Sequence, residues 1–135
     1  MESSSLAALR ANCHTVVLDR DGVINHDSDK YIKTVDEWQP IAGSLEAIAR
    51  LTASAIRVVI ASNQSGIGRG LFSSQDLEAM HQKMARSLAA MGSKVDGIFY
   101  CPHHPQDHCD CRKPKAGLLE QIEQRFDISL TGQPL

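Results

Sequence analysis

An α/β fold with a Rossmann-like parallel sheet flanked by helices is predicted from three observations. Short apolar, β-branched runs alternate with segments of helical period, in the order β-α-β-α-β-loop-α. The runs are apolar without a polar alternate, as in strands buried on both faces. The residues just after each run are polar, charged or metal-competent, at the sheet edge where such folds bind ligands.

His14-Thr-Val-Val-Leu-Asp19 is the first strand. Residues 22–42 form a long connection containing Trp38-Gln39-Pro40. Gly43 to Ser54 is a helix, with Leu45, Ile48 and Leu51 at helical spacing and Glu46 and Arg50 as an i,i+4 pair. Ile56 to Ala61 is the second strand, and Asn63 to Gly70, with three glycines, is a loop. Ser73 or Ser74 caps a long helix whose apolar face is Leu77, Met80, Met84, Leu88 and Met91, ending at Gly92. Val95 to Tyr100 is a third strand. A Cys/His loop follows, then a helix over Lys115 to Phe126, introduced by Pro114. Ile128-Ser-Leu130 is expected to begin a further strand.

The length, 135 residues, suits one domain, here read as residues 1–135. Hydrophobic residues are 42% and charged residues 22%, an ordinary globular balance that argues against disorder. A net charge of −2 argues against nucleic-acid binding by bulk positive charge. No apolar run reaches the roughly 18–20 residues that cross a bilayer, and Met1 to Asn12 has no signal-like apolar core, so a cytoplasmic protein is expected. Cys13 stands apart, whereas Cys101, Cys109 and Cys111 crowd together with His103, His104 and His108. Such a cluster reads as metal binding in a reducing compartment rather than as a disulfide framework.

Three strand-end motifs carry chemistry. In Asp19-Arg-Asp-Gly22, two carboxylates stand at i and i+2, suited to a divalent cation, to nucleophilic attack by Asp19 and to proton transfer by Asp21. Ser62-Asn-Gln-Ser-Gly66 places a hydroxyl and glycine-bearing backbone where phosphate oxygens can be held, with Arg69 nearby. Arg112-Lys-Pro-Lys115 supplies a fixed cation that would neutralise both the carboxylate and a transferring phosphoryl group.

Together these motifs resemble the haloacid-dehalogenase (HAD) superfamily of phosphatases. Leu18-Asp-Arg-Asp-Gly22 looks like its first motif, Ser62 its second and Lys113 its third. Asp19-Arg-Asp-Gly-Val-Ile-Asn25, Asn63-Gln-Ser-Gly-Ile-Gly-Arg-Gly70, Tyr100-Cys-Pro-His-His-Pro-Gln106 and Cys109-Asp-Cys-Arg-Lys-Pro114 narrow the likeness. They point to the histidinol-phosphatase-like branch, and within it to enzymes acting on heptose 1,7-bisphosphate. The likeness covers about residues 14–130.

The resemblance implies a Mg²⁺-dependent hydrolase of a small sugar bisphosphate in nucleotide-heptose and lipopolysaccharide precursor synthesis. Histidinol phosphate is the alternative substrate, and a non-catalytic zinc-stabilised module the alternative of another class. It implies Asp19 as nucleophile and Asp21 as general acid/base. Asp19 and the Asp21 backbone carbonyl would hold Mg²⁺, and Ser62 and Lys113 the phosphate. Asn63, Gln64, Arg69 and Arg112 are substrate-side candidates, Arg112 for the distal phosphate. It also implies a Zn²⁺ loop, about residues 101–111, with Cys101, His103, Cys109 and Cys111 as ligands; this donor set suits a closed tetrahedral site.

The superfamily's fourth, acidic motif has no counterpart, because no acidic residue follows Asp127. A C-terminally incomplete domain is therefore expected, with weakened Mg²⁺ binding and turnover. An apolar edge beside Thr15–Leu18 would then be open to association between chains that would otherwise be monomeric.

Overall fold

The computed structural model describes residues 15–113 and 115–130. Cys13, His14, Pro114 and residues 131–135, on which some of the expectations above fall, lie outside the described residues.

The elements follow the expected order. Strand β1 is Thr15–Leu18, helix α1 Ser44–Ala53, strand β2 Arg57–Asn63, and helix α2 the single turn Ser65–Gly68. Helix α3 is Ser74–Ala89, strand β3 Gly97–Cys101, and helix α4 Gly117–Phe126, with a 3₁₀ turn at Pro105–Asp107. The sheet is parallel throughout, in the order β1-β2-β3. Its register pairs Leu18 with Ile60 and Asn63 with Cys101, so all three strands end along one edge. Among the described residues β1 and β3 are the two sheet edges.

The central strand explains the uninterrupted apolar runs. In β2, Val58 and Ile60 face one side of the sheet, packing with Leu45 and Ile48 of α1 and with Leu77, Met80, Met84 and Leu88 of α3. Val59 and Ala61 face the other, against Leu118 and Ile122 of α4. With period-two alternation and both faces covered, every position must be apolar. Burying a side chain of the Val, Leu or Met class contributes about 1.5–3 kcal/mol, so this strand anchors both halves of the core.

Four local expectations change. The loop after β2 closes into the turn α2, because Arg69 N–H bonds back to the Ser65 carbonyl at 2.9 Å. Met91 lies beyond the end of α3 and is exposed rather than in the apolar face. Residues 128–130 form no strand; Leu130 N–H is instead held by Glu123 Oε2 at 2.8 Å. The connection 22–42 is part of the core, contributing Ile24, Ile32 and a fully buried Trp38. Lys83 of α3 fastens it, its Nζ donating to the carbonyls of Val35 (2.9 Å) and Trp38 (2.6 Å).

Helix α3 starts where Ser73 and Asp76 form a capping box. Ser73 Oγ accepts from Asp76 N–H at 3.1 Å, and Asp76 Oδ2 accepts from Ser73 N–H at 2.8 Å.

Candidate active site

The end of β1 turns sharply at Gly22, whose φ of +84° is a left-handed conformation that a side chain would strain. That turn leaves Asp19 and Asp21 at the sheet edge beside Ser62 of β2. A cleft of about 310 Å³ is lined there by Asp19, Asp21, Ser62, Asn63 and Lys113, with Asp27, Ser28, Asp29 and Tyr31 of the long connection.

Asp19 is exposed. Its Oδ1 accepts from Arg20 N–H at 2.8 Å, and its Oδ2 lies 3.3 Å from Lys113 Nζ. Lys113 Nζ also donates to the Ala61 carbonyl at 3.0 Å. The lysine backbone is clamped by Asn63, whose Oδ1 accepts from Lys113 N–H (2.8 Å) and whose Nδ2 donates to the Lys113 carbonyl (3.2 Å). Asn63, expected on the substrate side, thus lines the cleft but commits its amide to holding Lys113.

Gln64 is buried beneath the cleft. Its Nε2 donates to Ser62 Oγ at 2.8 Å and to Asp21 Oδ2 at 3.2 Å, while its Oε1 accepts from Arg20 Nη2 at 3.5 Å. The amide orientation follows from charge, because the opposite one would set Oε1 against a carboxylate and Nε2 against a guanidinium. Ser62 Oγ accepts here, so its own proton can serve a phosphate oxygen.

The other two basic candidates lie off the cleft wall. Arg69 is exposed, its guanidinium 5.8 Å from the Tyr31 ring centroid. Arg112 lines a neighbouring cavity of about 240 Å³ with Pro105, His108, Cys109, Lys113 and Lys115. Lys113 borders both cavities.

Sequence reasoning missed the layer beneath Asp21. Arg20 is completely buried and pairs with Asp21; Asn25 Nδ2 also donates to Asp21 Oδ1, at 2.9 Å. Behind Arg20 stands His81 of α3, its Nε2 3.4 Å from Nη1. Burial, then the Arg20 charge, lower the His81 pKa to about 4, with Asp21 partly opposing. His81 is therefore neutral near pH 7, and Nε2 can accept from Arg20. A signal existed: His81 is four residues after Leu77 and three before Met84, a polar residue on the inward face of α3.

Cys101, His103, Cys109 and Cys111 converge, their ligand atoms all within 4.8 Å of one another. Tetrahedral zinc–thiolate geometry calls for sulfur atoms about 3.7 Å apart; Cys101 Sγ lies close to that span from Cys109 Sγ, at 3.4 Å, and nearer than it to Cys111 Sγ, at 2.8 Å. Desolvation works to raise the Cys109 thiol, but hydrogen bonds from Cys101, the Arg112 backbone, Cys111 and His103 outweigh it and bring it to about 6. Desolvation, then hydrogen bonding to and charge repulsion from Cys101 and Cys109, pushes Cys111 up to about 12. One thiolate is favoured and the next opposed, a balance that a bound dication would reverse. His104 serves elsewhere, its Nδ1 accepting from Gln106 N–H at 3.1 Å. The loop is held to the sheet edge by Gly68, whose N–H donates to the Pro102 carbonyl at 2.8 Å.

A parallel sheet with paired aspartates, a serine and a lysine at its carboxyl edge defines the HAD-like phosphatase class. Residues 15–133 match the family described as polynucleotide kinase 3 phosphatase, and the chain belongs to that family. It is 55% identical over 119 residues to the D-glycero-β-D-manno-heptose-1,7-bisphosphate 7-phosphatase of Bordetella bronchiseptica, covering 88% of this chain and 66% of that one. It is 55% identical over 117 residues to the enzyme of the same name from Pseudomonas aeruginosa, covering 87% and 66%. The crystal structure of D,D-heptose 1,7-bisphosphate phosphatase from B. bronchiseptica, complexed with magnesium and phosphate, superposes with a TM-score of 0.84 at 54% identity, covering 86% of this chain and 65% of that one. The chain thus spans 66% of the length of the two curated relatives.

Proposed function

We propose that this chain carries a Mg²⁺-dependent phosphatase acting on a sugar bisphosphate, D-glycero-β-D-manno-heptose 1,7-bisphosphate, in the supply of nucleotide-activated heptose for lipopolysaccharide. The observation that carries the reading is the approach of Lys113 Nζ to Asp19 Oδ2, 3.3 Å, in a cleft that Asp21 and Ser62 also line. A lysine there pairs with the attacking carboxylate and meets the charge of the incoming phosphoryl group. The names of the relatives support the substrate.

In this reading Asp19 attacks phosphorus and forms an aspartyl-phosphate. Asp21 protonates the leaving oxygen, then takes a proton from the water that hydrolyses the intermediate. The Ser62 hydroxyl and Lys113 ammonium hold the phosphoryl oxygens. Gln64 ties Ser62 to Asp21 and Asn63 fixes Lys113, so both position the catalytic groups. Arg112 meets the distal phosphate, and Arg69, stacked near Tyr31 of the cleft wall, is a substrate-side cation.

Four carboxylates, Asp19, Asp21, Asp27 and Asp29, line the cleft against one lysine, an imbalance that suits a divalent cation. The Asp19 carboxylate and the Asp21 backbone carbonyl would hold Mg²⁺. When bound, it neutralises charge on the phosphate. Cys101, His103, Cys109 and Cys111 would hold a structural Zn²⁺, ordering the loop that ends in Arg112 and Lys113.

No helix among the described residues is long and apolar enough to cross a membrane. Independently of that, the chain is read as a cytoplasmic enzyme of small molecules.

Phosphate release from the sugar bisphosphate with Mg²⁺ tests the proposal. Turnover should be weak but measurable, as the missing acidic motif implies, and Asp19→Asn, which keeps the shape but not the nucleophile, should fall to background. An Asp19→Asn variant retaining most of the activity would overturn the mechanism, and an inactive parent chain the function.

A further inference from the structure

A carboxylic acid that passes a proton to and fro works best when one oxygen is anchored and the other faces the reaction. The surroundings of Asp21 are unequal at its two oxygens. Its Oδ1 accepts from Arg20 Nε at 2.8 Å, meets Arg20 Nη2 at 2.7 Å, and accepts from Asn25 Nδ2 at 2.9 Å. For Oδ2 the bond found is the longer one from Gln64 Nε2, 3.2 Å. Three donors, two of them on a cation, hold Oδ1 as the oxygen carrying negative charge and disfavour a proton on it.

The groups around this clamp are built to keep it. Arg20 is fully buried, and a desolvated guanidinium is tolerated only when well paired. Its other edge rests on His81 Nε2 (3.4 Å), Met80 Sδ (3.8 Å) and Gln64 Oε1 (3.5 Å), which fix the plane of the guanidinium. Asn25 gives independent testimony. Among the described residues its Oδ1 is buried without a hydrogen-bond partner, while its Nδ2 is spent on Asp21 Oδ1 and the His26 carbonyl. Turning the amide would set its oxygen against the carboxylate. The amide is therefore oriented by the donor it gives to Asp21.

We propose that Arg20 and Asn25 are positioning residues that pin Oδ1 of Asp21 as the unprotonated anchor, so that Oδ2 is the oxygen that carries the proton. The inference rests on the phosphatase reading and adds the atom through which it works. In the first half-reaction an Asp19 oxygen bonds to phosphorus, and the bond from phosphorus to the leaving oxygen breaks with its electron pair on that oxygen. The leaving oxygen then takes the proton from Asp21 Oδ2. In the second, water oxygen bonds to phosphorus, the Asp19–phosphorus bond breaks to restore the carboxylate, and a water proton passes to Oδ2.

General acid help matters for a poor alkoxide leaving group and little for a good one. The kcat/KM value reports only the steps through the first irreversible transfer, so it isolates that help. Arg20→Lys keeps the charge but loses the fork; Asn25→Ala leaves the Arg20–Asp21 pair in place. Each should lose about tenfold more kcat/KM on the sugar bisphosphate than on p-nitrophenyl phosphate, a share of the 10²–10⁴-fold that general acids supply. Equal losses on both substrates, in either variant, would mean a merely structural role and overturn the proposal. An arm without turnover reads the clamp itself. The Arg20 Nε proton should exchange slowly with solvent by NMR, and Asp21→Asn should speed it about tenfold; unchanged exchange would also overturn the clamp. Were the parent chain inactive on both substrates, the phosphatase reading would fall, and the exchange arm would still decide whether Arg20 holds Asp21.

Discussion

Replacing His81 by glutamine should flatten the acid limb of the stability curve. Burial, reinforced by the Arg20 charge, lowers the imidazole from 6.5 to about 4 in the folded chain. The unfolded chain, with the higher pKa, binds the proton more readily. The stabilisation is therefore fully present above about pH 6.5 and drains away as pH falls toward the folded value. A drop of about 2.5 pH units, at about 1.36 kcal/mol each, is about 3 kcal/mol, a large part of the ~5–15 kcal/mol that holds a domain folded. A glutamine in its place would still offer an acceptor to Arg20 Nη1, but it has no proton to gain. Urea unfolding of the parent and His81→Gln, near pH 7.5 and near pH 4.5, isolates the effect, since other acid-sensitive groups are shared and cancel in the difference. The parent should lose about 2–3 kcal/mol more than the variant over that interval. Parallel stability curves would refute the claim that His81 is held neutral behind Arg20.

Two further perturbations probe the Cys/His loop. Purified chain should hold about one zinc, the number that four ligands imply; Cys109→Ser should lose it by metal analysis and lower the melting temperature. Gly68→Ala should cost about 1–3 kcal/mol by overpacking, read as a fall in melting temperature, because a Cβ at Gly68 meets the backbone of His104 and, at 2.8 Å, the Pro102 carbonyl. Unchanged melting would mean that α2 and the loop are not packed as described.

Period and residue type determined much by themselves. The β-branched runs at Thr15–Leu18 and Val58–Ala61 are strands because nothing else buries such residues on both sides, and Leu77, Met80, Met84 and Leu88 are helical because their spacing makes one face. The edge holding Asp19, Asp21, Ser62 and Lys113 was legible from the rule that parallel strands deliver their following residues to one side. A metal-binding cluster of Cys101, Cys109 and Cys111 with neighbouring histidines was legible from donor chemistry and close spacing, whereas the choice of His103 came with the family resemblance. Connections that carry no period were not legible. Trp38 and Ile32 enter the core from a segment that reads only as a loop, because the Lys83 bonds that hold it come from a helix 45 and more residues away.

Only the tertiary structure decided what stands behind the edge that carries Asp19 and Asp21. Arg20 reads in sequence as a spacer between two acids; in the fold it is buried and aimed at one oxygen of Asp21. His81 arrives behind it from 61 residues along the chain. Asn63 could have faced the substrate, and it is the approach of Lys113, 50 residues away, that turns its amide inward. A sequence carries the type and order of such groups, but a hydrogen bond depends on fractions of an ångström between atoms of distant elements, and those distances exist only once the sheet and its helices have packed.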